Sequence, residues 1–189
     1  MSQQKKTLII INGSPRSNGN TDIIINELLS NIDNDKFIVK VFKLRNMNIN
    51  DCIGCYACMK KGHCIQHDDM REIYSSIENS DVVTFVSPIY WWSVPGTMKK
   101  LIDRLFAYYS KENRERLKGK KAITISSLNQ VDEQETNIIR QTYHMLFSSY
   151  GITLLDEHYF YGVMEKGEIM EYPTYIETVR EIGRGISEM

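Results

Sequence analysis

Short apolar runs alternate along this chain with segments whose apolar residues recur every three or four positions. Thr7–Asn12 (TLIIIN) is a continuous apolar run bounded by Gly13, the pattern of a strand buried on both faces. Asn20, Thr21 and Asp22 then offer capping side chains to an apolar-periodic segment, Ile23 to Ile32, which predicts a helix. Phe37–Leu44 predicts a second strand, and Asp68 and Asp69 cap a helical segment that reaches Asn79. Asp81–Ser87 (DVVTFVS) reads as a third buried strand, stopped by Pro88. Pro95 suits a first helical position, and Met98, Leu101, Ile102, Leu105 and Phe106 follow at helical spacing. Ala122–Ser126 predicts a fourth strand, Asp132–Ser149 a helix, Ile152–Tyr161 a fifth strand, and Tyr172 to Ser187 a closing helix.

Five apolar strands alternating with helices imply an α/β fold with a parallel, doubly wound sheet. The expectation is a flavodoxin-like three-layer sandwich whose five strands run in the order 2-1-3-4-5. The sequence shows no internal repeat and no linker, so residues 1–189 read as a single domain with a cysteine-rich loop at 51–67. Composition adds exclusions. Apolar residues make up 42% and charged residues 25%, an ordinary globular balance. A net charge of −1 argues against a nucleic-acid binder and against a strongly acidic electron carrier. Acids interleave the basic stretch from Lys99 to Lys121, which makes it a solvated face. The apolar run near the N-terminus is too short for a signal segment or a membrane span, so no membrane association and a cytoplasmic location are expected.

Ligands of doubly wound sheets bind beyond the carboxyl ends of the strands, so the loops after strands one, three and four carry most information. The first, Gly13 to Thr21 (GSPRSNGNT), joins a buried strand to a helix start. Its glycines allow close backbone approach, the helix start presents unpaired N–H groups, and Ser14, Arg16, Ser17, Asn18, Asn20 and Thr21 can donate hydrogen bonds. It lacks the lysine of a P-loop and is not a G-x-G-x-x-G fingerprint, and it favours a terminal phosphate. The loop after strand three, Ser87 to Gly96 (SPIYWWSVPG), places Tyr90, Trp91 and Trp92 at the ligand edge, which suits a flat aromatic ligand or else core packing or a dimer contact.

All four cysteines fall in one run, Cys52-x2-Cys55-x2-Cys58-x5-Cys64. In a reducing compartment such a run favours metal or redox chemistry over structural disulfides. Two-residue gaps let successive thiolates converge on one inorganic body.

GSPRSNGNT, together with SPIYWWSVPGTMKKLIDRL, resembles the flavodoxin-like NAD(P)H-dependent FMN reductases, and CIGCYACMKKGHC makes the chain most similar to their iron–sulfur flavoprotein branch. The resemblance implies that Ser14, Arg16, Asn18, Asn20 and Thr21 hold the FMN phosphate and part of the ribityl chain. It implies that Pro88, Ile89, Tyr90 and Trp91 line the isoalloxazine ring, with main-chain amides polarising its nitrogens. The loop Ser126–Asn129, with Ser127, would cover the other ring edge, although it departs from the glycine-rich form of many relatives. Gly162 to Gly167 resembles a late family loop of underived role. Cys52, Cys55, Cys58 and Cys64 would ligate a [4Fe–4S] cluster; structural zinc, a dithiol or disulfide, and a vestigial loop are the competing readings. The implied activity is electron transfer from NAD(P)H through FMN to a quinone, nitro compound, flavin or protein acceptor, with no catalytic side chain required. A homodimer or homotetramer is expected. The rival readings are a flavodoxin-type carrier and a thiolate-based metal or redox sensor.

Overall fold

Residues 4–189 are described in a computed structural model; Met1–Gln3, part of the N-terminal segment read above, lie outside the described residues. Five strands form one parallel sheet: β1 (Lys6–Asn12), β2 (Phe37–Lys43), β3 (Val82–Pro88), β4 (Lys121–Ser127) and β5 (Thr153–Phe160). Their order is β2-β1-β3-β4-β5, as the alternation of elements predicts. Among the described residues seven α-helices accompany them: α1 (Asn20–Ser30), α2 (Ala57–Lys61), α3 (Met70–Glu78), α4 (Gly96–Arg104), α5 (Lys111–Arg114), α6 (Asn137–Tyr150) and α7 (Pro173–Ser187).

The unbroken apolar run of β1 follows from burial on both faces. Leu8 and Ile10 point into a cluster with Ile24, Ile25 and Leu28 of α1 and Val179 and Ile186 of α7. Ile9 and Ile11 point the other way, into a cluster with Ile73 and Ile77 of α3, Met98 and Leu101 of α4, and Ile139 and Phe147 of α6. A strand alternates its side chains between faces, so apolar residues at both parities between Leu8 and Ile11 fill both clusters, and the polar Asn12 at the strand's end is buried only with hydrogen-bond partners. These two clusters are the two helix–sheet interfaces of a three-layer sandwich. No helix among the described residues is long and apolar enough to cross a membrane.

Most strand ends shift by a residue from the sequence reading, and three helix starts differ from it for a local reason. Helix α1 begins at Asn20, and Gly19 occupies the capping position with no side-chain cap. Asp22 cannot cap the helix because its carboxylate serves Asn18, Asn12 and Arg45. Pro95 is extended (φ −58°, ψ 154°) and precedes α4 as its cap. The segment after Asp132 begins as a 3-10 turn, Glu133–Thr136, tied by the Asp132 carboxylate to the Gln134 amide, before α6 takes over.

Candidate functional site

Strand order reverses between β1 and β3, and the loops leaving their carboxyl ends part there, opening a cleft. A cavity of about 190 Å³ lies in it, and eight of the ten predicted flavin contacts line it: Ser14, Arg16, Asn20, Thr21, Pro88, Ile89, Tyr90 and Ser127. Leu128 and Asn129 after β4 join them, as do Val163 and Met164. Two predicted contacts stand elsewhere. Asn18 is absent from the wall; its backbone is left-handed (φ 54°) and its amide donates to Asp22 at 2.7 Å. Trp91 lines an adjoining space of about 470 Å³ with Trp92, Gln130 and Glu135, across a shared boundary of Ile89, Tyr90, Leu128, Asn129 and Met164.

Asp22 holds the β1–α1 loop in shape. It is buried, accepts from Asn12 Nδ2 at 2.7 Å, and takes Arg45 Nη2 on both oxygens at 3.0 Å. Asn12 Oδ1 in turn accepts the Ser14 amide at 3.0 Å. No side chain caps α1, and Gly19, Asn20 and Thr21 at its start line the cavity, an arrangement suited to an anion. Asn20 has a second duty: its Nδ2 donates to the Glu165 carbonyl at 2.7 Å and its Oδ1 accepts the Gly167 amide at 2.9 Å. Arg16 Nη1 donates to the Met164 carbonyl at 2.8 Å. The loop from Gly162 to Gly167 is thereby clamped against the first loop, which explains how Val163 and Met164 reach the cavity. Glu168 closes it from below, accepting the amides of Met164 and Glu165; those bonds, Glu165's foremost, hold its carboxyl below the usual range. The sequence signal for this clamp was the glycine pair itself, Gly162 and Gly167, both at positive φ (67° and 86°).

The aromatic loop is built unusually. Tyr90 and Ser93 exchange amide-to-carbonyl bonds of 2.8 and 3.0 Å, and the two residues between them, Trp91 and Trp92, have φ of 47° and 61°. That is a two-residue hairpin turn of the I′ kind, where Asn-Gly is the ordinary choice and a bulky residue is an outlier. Trp92 Nε1 donates to Glu135, and Trp91 packs edge-on against Trp92 while remaining 85% exposed. Of the main-chain amides expected to face a ring, Ile89 and Tyr90 already donate to Ser127 and Ser93, and Pro88 has none. The Trp91 amide is the one of that set without such a partner.

The four cysteines converge on a second, smaller cavity of about 20 Å³, shared with Gly54, Tyr56, Arg104 and Phe106. Three left-handed residues, Gly54, Tyr56 and Gly62 (φ 61°, 55° and 74°), curl the loop tightly enough for this. Cys52 and Cys55 are exposed, Cys58 is buried on α2, and Cys64 is intermediate; all four are free thiols. Burial pushes the Cys58 thiol up, and the neighbouring Cys64 adds to the shift. Asn113 Nδ2 donates to the Cys58 carbonyl at 3.3 Å and Arg116 to that of Gly62, anchoring the loop. Neither His63 nor His67 lines the cavity. Among the described residues no three His, Cys, Asp or Glu side chains form a group able to hold a metal ion. By residue type, four cysteines lining one void beside a buried guanidinium are nonetheless the donor set an iron–sulfur cluster takes.

A parallel sheet in this order, with a polar cradle and an aromatic wall at its switch point, defines a flavodoxin-like protein. Over residues 6–161 the chain matches the NADPH-dependent FMN reductase family, and it belongs to that family. An iron-sulfur flavoprotein of Archaeoglobus fulgidus is 40% identical over 108 residues, 57% of this chain and 48% of that protein. One from Clostridioides difficile is 42% identical over 100 residues, 51% and 44% of the two chains. The chain thus spans about half the length of these curated relatives, whereas its match to the iron-sulfur flavoprotein of Methanosarcina thermophila covers 95% of this chain and 92% of that one at 24% identity. Among solved structures, the NAD(P)H:quinone oxidoreductase from Methanothermobacter marburgensis superposes with a TM-score of 0.77 at 17% identity, covering 97% and 96% of the two chains. An FMN-dependent NADH-azoreductase from Bacillus anthracis, solved with FMN, gives 0.70 at 14% identity, covering 96% and 99%. Both show the shared fold.

Proposed function

We propose that the protein is an FMN-dependent oxidoreductase that takes electrons from NAD(P)H and passes them to a quinone, nitro compound, flavin or protein acceptor, with a [4Fe–4S] cluster in the cysteine loop. The observation that carries the reading is the gathering of eight of the ten contacts that the family resemblance implies, from loops far apart in the chain, around one cavity at the β1/β3 switch. The residues suit the group. The uncapped N-terminus of α1 with Ser14 and Thr21 fits a phosphate, Arg16 adds charge, and Ile89, Tyr90 and Leu128 offer apolar walls to a planar ring. FMN supplies the chemistry when bound, accepting a hydride and releasing electrons in pairs or singly.

The chain's own part is to bind, to orient and to exclude water. The clamp between Asn20 and the 162–167 loop narrows the cavity at its phosphate end. The adjoining space beside Trp91 and Trp92 leaves room on the ring side for a nicotinamide or a planar acceptor. Family membership and the names of the relatives support FMN and the cluster respectively. Assembly as a homodimer or homotetramer belongs to the same reading, supported by the exposure of Trp91 at the rim.

The test is a steady-state assay on purified, FMN-loaded protein with NADH and NADPH against benzoquinone, a nitroarene and free FMN. Turnover with at least one pair is expected. No nicotinamide oxidation with any acceptor would leave a flavodoxin-type carrier, and protein that takes up no flavin would leave the thiolate sensor.

A further inference from the structure

Arg104, at the end of α4, heads the large side chains that are fully buried, an unusual place for a guanidinium. Its two terminal nitrogens are occupied. Nη1 donates to Asp68 Oδ2 at 2.7 Å and to the Asn50 carbonyl at 3.0 Å, and Nη2 donates to Asp68 Oδ1 at 3.1 Å. Three of its five N–H donors are met in this way, and Nε–H is out of contact with solvent and has no hydrogen-bond partner. A buried donor of a charged group left unmet is costly, so such an orphan points to an acceptor that arrives with a ligand. Arg104 lines the cavity on which Cys52, Cys55, Cys58 and Cys64 converge, and among the described residues it is the only arginine that does.

We propose that the Nε–H of Arg104 donates a hydrogen bond to sulfur in that cavity, a cysteine thiolate or a bridging sulfide of the cluster, and that this bond raises the cluster's reduction potential. The inference rests on the cluster part of the proposed function. Its physics is direct. A thiolate-ligated cluster is an anion, and one-electron reduction adds to the charge on its sulfurs. A donor fixed against them stabilises the reduced form more than the oxidised one. Asp68 offsets the formal charge of the guanidinium, so the directed N–H, rather than net charge, carries the effect. The rest of the surroundings fixes the donor: the Tyr74 hydroxyl donates to the Arg104 carbonyl at 2.5 Å, and the bidentate Asp68 contact sets the plane of the guanidinium. Arg104 is in this sense a direct donor to the sulfur site, and Asp68, four residues beyond the last cysteine, is the residue that positions it.

The experiment compares the full chain with Arg104→Lys after anaerobic reconstitution with ferrous iron and sulfide. Iron is counted, and the cluster is titrated with dithionite through redox mediators while its EPR signal is followed. Wild type should hold about four irons per chain. The lysine variant, with the charge kept and the Nε–H removed, should hold the same iron at a lower midpoint potential. A purely structural Arg104 would lower the melting temperature and leave the potential unmoved, and an unchanged potential overturns the inference. A second measurement needs no variant: pulsed EPR of the reduced wild-type cluster in protein labelled with 15N-arginine. Coupling to an arginine nitrogen is expected, and its absence overturns the inference while leaving the cluster intact. Wild type that binds no iron overturns the cluster reading, and this inference with it.

Discussion

Removing the Asp22 carboxylate should do more damage than any other single change in the first loop. Asp22 and Arg45 form an ion pair with side chains only 8% and 11% exposed, and Asp22 also accepts from Asn12 Nδ2 and the Asn18 amide. Asp22→Ala strands the guanidinium in the interior and leaves both remaining donors without an acceptor. Breaking a buried pair by removing one partner costs about 3–5 kcal/mol. In a domain of this length each kcal/mol moves the melting temperature by about 2–4 °C, so a fall of about 6–20 °C is expected. Thermal melting of the flavin-free protein, followed by circular dichroism, measures it. Because Asn18 is held at positive φ by that carboxylate, FMN affinity should fall as well, by about tenfold for each 1.4 kcal/mol of loop ordering that has to be recovered on binding. A control separates charge from shape: adding Arg45→Met to Asp22→Ala removes the stranded charge and should recover most of the stability. A melting temperature for Asp22→Ala within about 2 °C of wild type, less than about 1 kcal/mol, would refute the reasoning.

Replacing Trp91 and Trp92 together by Asn and Gly should leave the melting temperature undiminished, because relief of two left-handed residues, about 1–2 kcal/mol each, offsets the lost ring contacts. The same double change should raise KM for a planar quinone about two- to tenfold, the range of an aromatic pair; a lower melting temperature with unchanged KM would contradict both halves. Gly13→Ala would set a Cβ 2.7 Å from Met98 Cε and 3.1 Å from Ser87 Cβ, so urea denaturation should report a loss of about 1–3 kcal/mol. Burial works against the Asp68 charge, but the Arg104 hydrogen bonds prevail and hold its carboxyl below the usual range. A depressed folded value means stability fully present above the unfolded pKa of about 3.9 and lost as pH falls through the folded one. Acid melting curves of Asp68→Asn should therefore be flatter below pH about 4 than those of wild type, and parallel curves would sink this assignment.

The elements of this fold were legible in local patterning, since the central strands β1 and β3 are apolar runs, the edge strands β2 and β5 mix apolar with polar residues, and each long helix has an apolar period. β1 is the clearest case: Leu8 to Ile11 are buried alternately on the two faces of the sheet, so an unbroken apolar run reads as a strand covered on both sides. The convergence of the cysteines was equally local, because gaps of two and five residues hold the four thiols within one loop. The phosphate-loop residues were visible for the same reason, the glycines and hydroxyls being adjacent in the chain. What the sequence could not disclose were the partners of those residues, because a pair potential between distant positions leaves no local trace. Asp22 looks like a helix cap until Arg45, 23 residues on, is seen to claim it. Asn20 looks like a phosphate ligand until the 162–167 loop folds onto it from 145 residues away. Turn propensity alone would have put Asn-Gly where Trp91-Trp92 stands. Asp68 and Arg104, 36 residues apart, read as a helix cap and a solvated charge, and only packing of α4 beneath the cysteine loop makes them a buried pair whose Nε–H is left for sulfur. Sequence by itself determined the layers and the loops that carry chemistry, through periodicity and backbone permissiveness. Tertiary structure decided which charged groups are buried, what each is spent on, and which remain free to meet a ligand, because desolvation and directed hydrogen bonds exist only once distant segments are packed together.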